Sequence, residues 1–102
     1  PHSIHARHLF TIWVEPQIRD AVLGDLQDRG IGVAVNFRSI NRLTYYREHF
    51  ELPEGTFPIA ERIGDSTITL PLYTKLSEAE IDYVIEQTLE SVRALTREEA
   101  AV

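Results

Sequence analysis

The apolar and polar positions in the first third of the chain predict a strand, a helix and a second strand. Residues 8–15 are rich in β-branched and aromatic side chains, and their nearly continuous apolar run favours a strand covered on both faces. A second strand is expected over residues 31–37, after Gly30 ends the helix. Between them, residues 17–29 show a helical period of apolar side chains: Ile18, Val22, Leu23 and Leu26.

The middle of the chain carries weaker signals. Residues 45–50 are typical of a helical turn, and residues 56–63 predict a short helix with Thr56 as its cap and Gly64 at its end. The alternation of Thr and apolar residues over 67–70 predicts a short strand with one solvent-exposed face.

The strongest helix signal lies near the end of the chain. Ser77 and Glu80 form a capping box, in which each side chain bonds the backbone N–H of the other residue. Apolar side chains then recur at helical spacing through residues 77–96, and the polar sequence from Arg97 onward is expected to fray.

These elements together predict an α+β fold. The sheet is expected to be small, antiparallel or mixed, with about three strands, and the two main helices to pack on one of its faces. The 102 residues are expected to form one domain, residues 1–102, with flexible segments at 1–7 and 97–102.

Composition excludes several classes of function. The chain has no cysteine, which excludes disulfides and thiolate chemistry. No apolar run approaches the roughly 20 residues that span a bilayer, and no signal peptide is evident, so we expect a cytoplasmic protein with no membrane partner. The formal charge of −6 argues against nucleic acid as a partner.

Candidate catalytic and metal motifs are weak. His2, His5 and His8 recur at every third position, but an extended segment would not bring them together, and no metal ligand is expected. No serine lies in a nucleophile elbow. Gly30 and Gly32 lack the third glycine of a dinucleotide loop, and the acidic residues of 77–96 are typical of a solvated helix face.

The loop after the second predicted strand is different. Arg38, Arg42 and Arg47 lie within ten residues of an otherwise acidic chain, and guanidinium groups bind phosphate or carboxylate through paired hydrogen bonds. Asn36 and the tyrosines at 45 and 46 add hydrogen-bonding groups and rings. Two interpretations remain open: the arginines bind an anionic, hydroxyl-rich ligand, or they pair with nearby glutamates while the tyrosines are core.

The ordered combination of several segments resembles the C-terminal domain of the DegT/StrS family of aminotransferases. The branch that makes 4-amino-4-deoxy-arabinose for lipopolysaccharide is especially similar around residues 36–50. The segments are residues 9–14 (LFTIWV), 19–23 (RDAVL), 29–40 (RGIGVAVNFRSI), 44–50 (TYYREHF), 57–63 (FPIAERI), 69–73 (TLPLY) and 76–85 (LSEAEIDYVI).

The resemblance implies an aspartate-aminotransferase small domain from a homodimeric, pyridoxal-phosphate (PLP) dependent enzyme that uses an amino donor and a nucleotide-linked keto-sugar. In that family a large N-terminal domain carries the PLP lysine. Lys75 is the chain's one lysine, and its surroundings do not match the family's lysine motif. The resemblance therefore implies no catalytic residue and no bound cofactor in this chain alone.

Substrate-binding residues follow from the same resemblance. The small-domain side of the sugar-nucleotide pocket corresponds to Asn36, Phe37, Arg38, Asn41 and Tyr45. Many relatives carry His at the positions of Asn36 and Asn41, and a neutral amide does not titrate as imidazole does.

Two hypotheses for the function follow. In the first, the chain is the substrate-binding, non-catalytic C-terminal domain of a sugar-nucleotide aminotransferase, and the missing large domain is its partner. In the second, it is a stand-alone ligand-binding or subunit-interaction module derived from that domain. In both cases apolar surface is expected to be uncovered and to favour association into a homo-oligomer.

Overall fold

A computed structural model describes residues 2–101. These residues form two strands, four α-helices and one 3₁₀ helix. In chain order the elements are β1 (Phe10–Trp13), α1 (Pro16–Asp28), the 3₁₀ helix (Ile40–Arg42), α2 (Thr44–His49), α3 (Pro58–Ser66), β2 (Thr67–Leu70) and α4 (Glu78–Ala101).

The two strands form an antiparallel pair in which Phe10 lies opposite Leu70 and Trp13 opposite Thr67. The segment predicted as a second strand contributes a single antiparallel bridge, where Ala34 and Thr69 exchange backbone hydrogen bonds of 3.2 and 2.8 Å. Continuing this register would place Pro71 where an N–H must be donated, and proline has none. The third strand therefore does not extend toward Gly32, and the segment contributes one pair of hydrogen bonds.

β2 lies between β1 and this bridging segment, and all four of its residues are buried. The prediction of a solvent-exposed face on this strand was wrong because the strand is central rather than at an edge. The α+β fold class itself is confirmed, with a two-stranded sheet and a bridge in place of three full strands.

The core lies on one face of the sheet. Apolar residues of α1, the following loop and β2 form its buried centre, and residues of α4 pack against it, so both long helices cover the same face as predicted. The buried centre consists of Ile18, Val22, Leu26, Ile31, Ile68 and Leu70, with Val84, Val92 and Leu95 of α4 against it.

A buried arginine joins α1 to the junction of α3 and β2. The Arg19 guanidinium is almost fully buried, donates to the carbonyl oxygens of Gly64 and Thr67, and pairs with Asp20 at 2.8 Å. Because these carbonyls lie at the C-terminal end of α3, a cation there also interacts favourably with the helix dipole.

Two helix boundaries differ from the sequence-based expectation. α3 continues through Gly64 to Ser66, and Phe57 occupies the N-cap position while the Thr56 hydroxyl bonds the Pro53 carbonyl at 2.6 Å. α4 extends to Ala101 rather than ending near Thr96.

The capping box of α4 is confirmed. The Glu80 N–H donates to the Ser77 hydroxyl and the Ser77 N–H to the Glu80 carboxylate, each at 3.1 Å.

Candidate functional site

The candidate site begins where the chain leaves the sheet after Ala34. Phe37 is 71% exposed, Arg38 is exposed, and Asn36 is half-buried. A cis peptide bond joins Asn36 and Phe37. The structure therefore presents two of these three predicted substrate-binding side chains at the surface, on an irregular segment next to the sheet edge.

α3 supports this segment through a glycine. An added Cβ on Gly64 would lie 2.9 Å from the Ser39 nitrogen and 3.0 Å from the Phe37 carbonyl oxygen, closer than side chains normally approach a backbone. Gly64 was predicted only to end a helix, which was wrong. Its role is to let the helix backbone contact residues 37–39, and no local signal in the sequence indicates such a contact.

Arg42 is held by three carboxylates. Its guanidinium lies 3.0 Å from Glu54, 2.9 Å from Asp65 and 3.6 Å from Glu61. For this arginine the second interpretation, pairing with acidic residues, is the correct one. Asp65 was not among the expected partners, because it lies 23 residues away and reaches Arg42 only through the packing of α3.

Glu61 is the buried acid of this network. Its carboxylate accepts the Gly55 N–H at 2.9 and 3.1 Å and the Phe57 N–H at 3.2 Å. The Gly55 N–H first of all, with support from Asn41, Phe57 and Arg42, lowers the pKa of Glu61 although burial opposes the shift. Glu61 thus stays ionised and ties the loop before α3 to its first turn.

Asn41 lies beneath the surface of the site. It is 1% exposed, accepts a hydrogen bond from the Ser39 hydroxyl, and donates to the Pro53 carbonyl oxygen at 3.1 Å. Its amide is therefore occupied by contacts within the chain, and these contacts fix the backbone that follows Arg38.

The three arginines of the sequence cluster do converge. A cleft of about 230 Å³ is lined by Arg38, Asn41, Arg42, Arg47 and Glu54. Within residues 2–101, neither Arg38 nor Arg47 makes an ion pair, and both are exposed. The cleft thus combines one compensated guanidinium with two that remain available.

The aromatic residues of α2 form a separate, exposed cluster. Tyr45 is 60% exposed and stacks on His49 at a ring separation of 4.8 Å, while Tyr46 stacks on Phe50 at 5.9 Å. Neither tyrosine is core, so that part of the second interpretation was wrong. Helical geometry places Arg47 about 200° around α2 from Tyr45, and the structure does not bring Tyr45 into the arginine cleft.

Lys75 does not fit a cofactor-bearing lysine. It is exposed in the connection between β2 and α4, and an adjacent cavity is lined by its neighbours Thr74 and Leu76 rather than by Lys75. A PLP lysine requires a pocket that encloses the ring and phosphate around its amine. The surroundings of Lys75 therefore do not fit a bound PLP.

The described part of the chain carries neither a metal cluster nor a membrane helix. In residues 2–101, no three His, Asp or Glu side chains converge as metal ligands. No helix in the same range is long and apolar enough to cross a bilayer.

Two groups of solved structures are similar to this chain. It matches "Putative sugar aminotransferase Spr1654" from Streptococcus pneumoniae in the PMP form (28% identity, 93% of this chain, 25% of that chain, TM-score 0.82) and in the PLP form (28%, 93%, 26%, 0.83). It also matches Helicobacter pylori PseC, an aminotransferase involved in pseudoaminic acid biosynthesis (22%, 85%, 24%, 0.73), which shows a shared fold. The chain spans about a quarter of the length of these proteins.

A family model provides the assignment. The model of the DegT/DnrJ/EryC1/StrS aminotransferase family matches residues 1–89, most of the chain. The structural likeness to sugar aminotransferases agrees with that match and with the predicted aminotransferase-domain fold. This chain belongs to the DegT/DnrJ/EryC1/StrS aminotransferase family.

Proposed function

We propose that this chain is the C-terminal, small domain of a PLP-dependent aminotransferase that acts on nucleotide-linked keto-sugars for polysaccharide, lipopolysaccharide or glycoside biosynthesis. The observation that carries the proposal is the segment of half-buried Asn36 and exposed Phe37 and Arg38, which packs against Gly64 of α3 beside a cleft with two available guanidiniums. Family membership and the sugar aminotransferase neighbours support the same class.

In this proposal the chain binds substrate and performs no covalent chemistry. Phe37 and Arg38 would contact the nucleotide-linked sugar directly, with Asn36 beside them as an uncharged hydrogen-bonding group. Buried Asn41 would act by holding Ser39, and Tyr45 would contact the substrate from the outer side of α2. A similar sugar aminotransferase structure is in a PLP form. PLP and the amino-donor chemistry would belong to the large domain of the parent enzyme, which would supply the cofactor lysine.

The finer identity of the sugar is also a proposal. The resemblance around residues 36–50 favours the 4-amino-4-deoxy-arabinose branch. Asn36 and Asn41, where many relatives carry His, remove two titratable groups from the proposed site, so any proton transfer there must use another residue.

Exposed apolar side chains support an interface in the parent protein. Trp13, Ile59 and Ile63 line a groove of about 610 Å³ between β1 and α3 and remain exposed. We propose a cytoplasmic homo-oligomer in which such surfaces are covered. The same observation favours the second candidate, a stand-alone interaction module, which differs in lacking a large domain.

The complete product of the natural coding sequence tests this proposal. We expect it to transfer an amino group to a nucleotide-linked keto-sugar, with PLP attached to a lysine outside these 102 residues. Asn36→Ala and Arg38→Gln should raise KM more than they change kcat, because these side chains bind substrate rather than react. A PLP adduct on Lys75 with transaminase activity would overturn the proposal, and an inactive product starting at residue 1 would favour the module.

A further inference from the structure

Charge compensation in the arginine cleft is uneven. Arg42 faces three carboxylates within 4 Å. Arg38 and Arg47, in contrast, are exposed and make no ion pair with any residue from 2 to 101. Two uncompensated guanidiniums on one concave surface of a chain with net charge −6 favour an anionic ligand there.

The two available arginines come from different elements. Arg38 lies on the segment that leaves the sheet, and Arg47 lies in α2, where its N–H donates to the Leu43 carbonyl at 2.9 Å. The 3₁₀ helix between them is anchored by Arg42 to Asp65 and Glu61 of α3, and by Asn41 to the Pro53 carbonyl oxygen. The backbones that carry the two side chains are therefore fixed before a ligand arrives, which lowers the entropic cost of binding.

The cleft suits a small anion with two charged centres. Its volume of about 230 Å³ is large enough for a compact group such as a diphosphate. Each guanidinium offers paired donors to one phosphate, so two guanidiniums match two linked phosphates better than one carboxylate.

We propose that this cleft binds the diphosphate of a nucleotide-linked ligand, with Arg47 and Arg38 as its two donors. The assignment of the diphosphate to a nucleotide sugar rests on the proposed function, whereas the preference for diphosphate rests on the cleft alone. Arg47 is the new binding residue. Arg42 is a positioning residue: its ion pairs with α3 fix the backbone between Arg38 and Arg47.

Removing the charge of Glu54 should have the opposite effect on anion affinity from removing Arg38 or Arg47. Its carboxylate lines the same cleft, pairs with Arg42 at 3.0 Å, and is largely exposed. A carboxylate beside a bound anion repels it, so the loss of this charge should strengthen binding while the loss of either available arginine should weaken it.

The experiment is an NMR titration of the 102-residue chain with inorganic pyrophosphate at constant ionic strength, with sulfate as the comparison anion. We expect amide shifts over residues 38–47. Arg38→Gln and Arg47→Gln should each weaken binding by about tenfold, as expected for the loss of a charge-assisted hydrogen bond. Glu54→Gln should tighten it. The matched controls are Arg62→Gln and Glu48→Gln, exposed residues outside the cleft that change the net charge equally.

The outcomes separate this inference from the proposed function. Equal weakening by Arg62→Gln, equal affinity for sulfate, or no pyrophosphate binding by the folded chain would overturn the diphosphate site, even if the complete enzyme transfers amino groups to a nucleotide sugar. If pyrophosphate binds as expected but the complete enzyme shows no activity on nucleotide sugars, the diphosphate site stands and the proposed function fails. Dispersed amide signals in every variant confirm that folding is retained.

Discussion

Gly64 in α3 lies so close to Ser39 that a Cβ at position 64 would be 2.9 Å from the Ser39 backbone nitrogen. The contact joins a helix interior to the irregular segment that carries the candidate site residues. Because both partners at the contact are backbone, neither can rotate away as a side chain would.

Gly64→Ala should therefore destabilise the chain and displace residues 37–39. Overpacking at a contact of this kind costs about 1–3 kcal/mol, more than the gain in helix propensity from Ala. Urea unfolding would measure the loss, and amide shifts of Phe37 to Ser39 would report the displacement.

Gly24 supplies the matched control. It lies inside α1, and nothing lies within 4 Å of an added Cβ. Gly24→Ala should stabilise the chain by about 0.5–1 kcal/mol through backbone entropy and helix propensity. Equal effects of the two substitutions would contradict the packing role of Gly64.

Acid stability should depend on Glu61. Its pKa in the folded chain is lowered below the ordinary value of 4.5, so its ionised form contributes stability above about pH 4.5 that is lost as the pH falls toward the folded pKa. Glu61→Gln should unfold more easily at pH 7 and show a weaker loss of stability below pH 4.5. Thermal unfolding measured from pH 3 to 7 would show this difference.

Glu48→Gln, at an exposed position of α2, is the control for that series. It removes the same formal charge but no hydrogen bond found in the structure. If it changed the acid profile as much as Glu61→Gln does, net charge rather than the Glu61 network would explain the effect.

Arg19 should be more important for stability than an exposed arginine. Arg19→Leu would leave the carbonyl oxygens of Gly64 and Thr67 without this donor inside the protein. Because buried acceptors would be left unsatisfied, we expect the free energy of unfolding to fall by about 2–3 kcal/mol. Chemical denaturation would measure it, with exposed Arg93→Leu expected to change stability by less than about 0.5 kcal/mol.

The capping box of α4 predicts a rescue experiment. Ser77→Ala removes the acceptor of the Glu80 N–H and should cost about 1 kcal/mol. Ser77→Asp keeps an acceptor at the N-cap and should restore most of that stability. Failure of Asp to restore it would mean that the hydroxyl acts through other contacts.

Local signals in the sequence predicted the elements whose cause is local. The helices over 17–29 and 77–96 follow from side-chain spacing within a few residues, and the Ser77–Glu80 box formed as expected. The arginine cluster was also visible in the sequence as a charge pattern. The sequence did not indicate which of these arginines form ion pairs. Arg42 pairs with carboxylates, whereas Arg38 and Arg47 form no ion pair within residues 2–101.

The sequence by itself determined the helical periods, the cap and the α+β class, since these depend on contacts between neighbours in the chain. Only the tertiary structure decided that β2 is central and fully buried, that Gly64 packs against the backbone of residues 37–39, and that Arg42 pairs with Asp65. These features depend on backbone and side-chain groups that are distant in sequence and meet through packing, so no local pattern of residues specifies them.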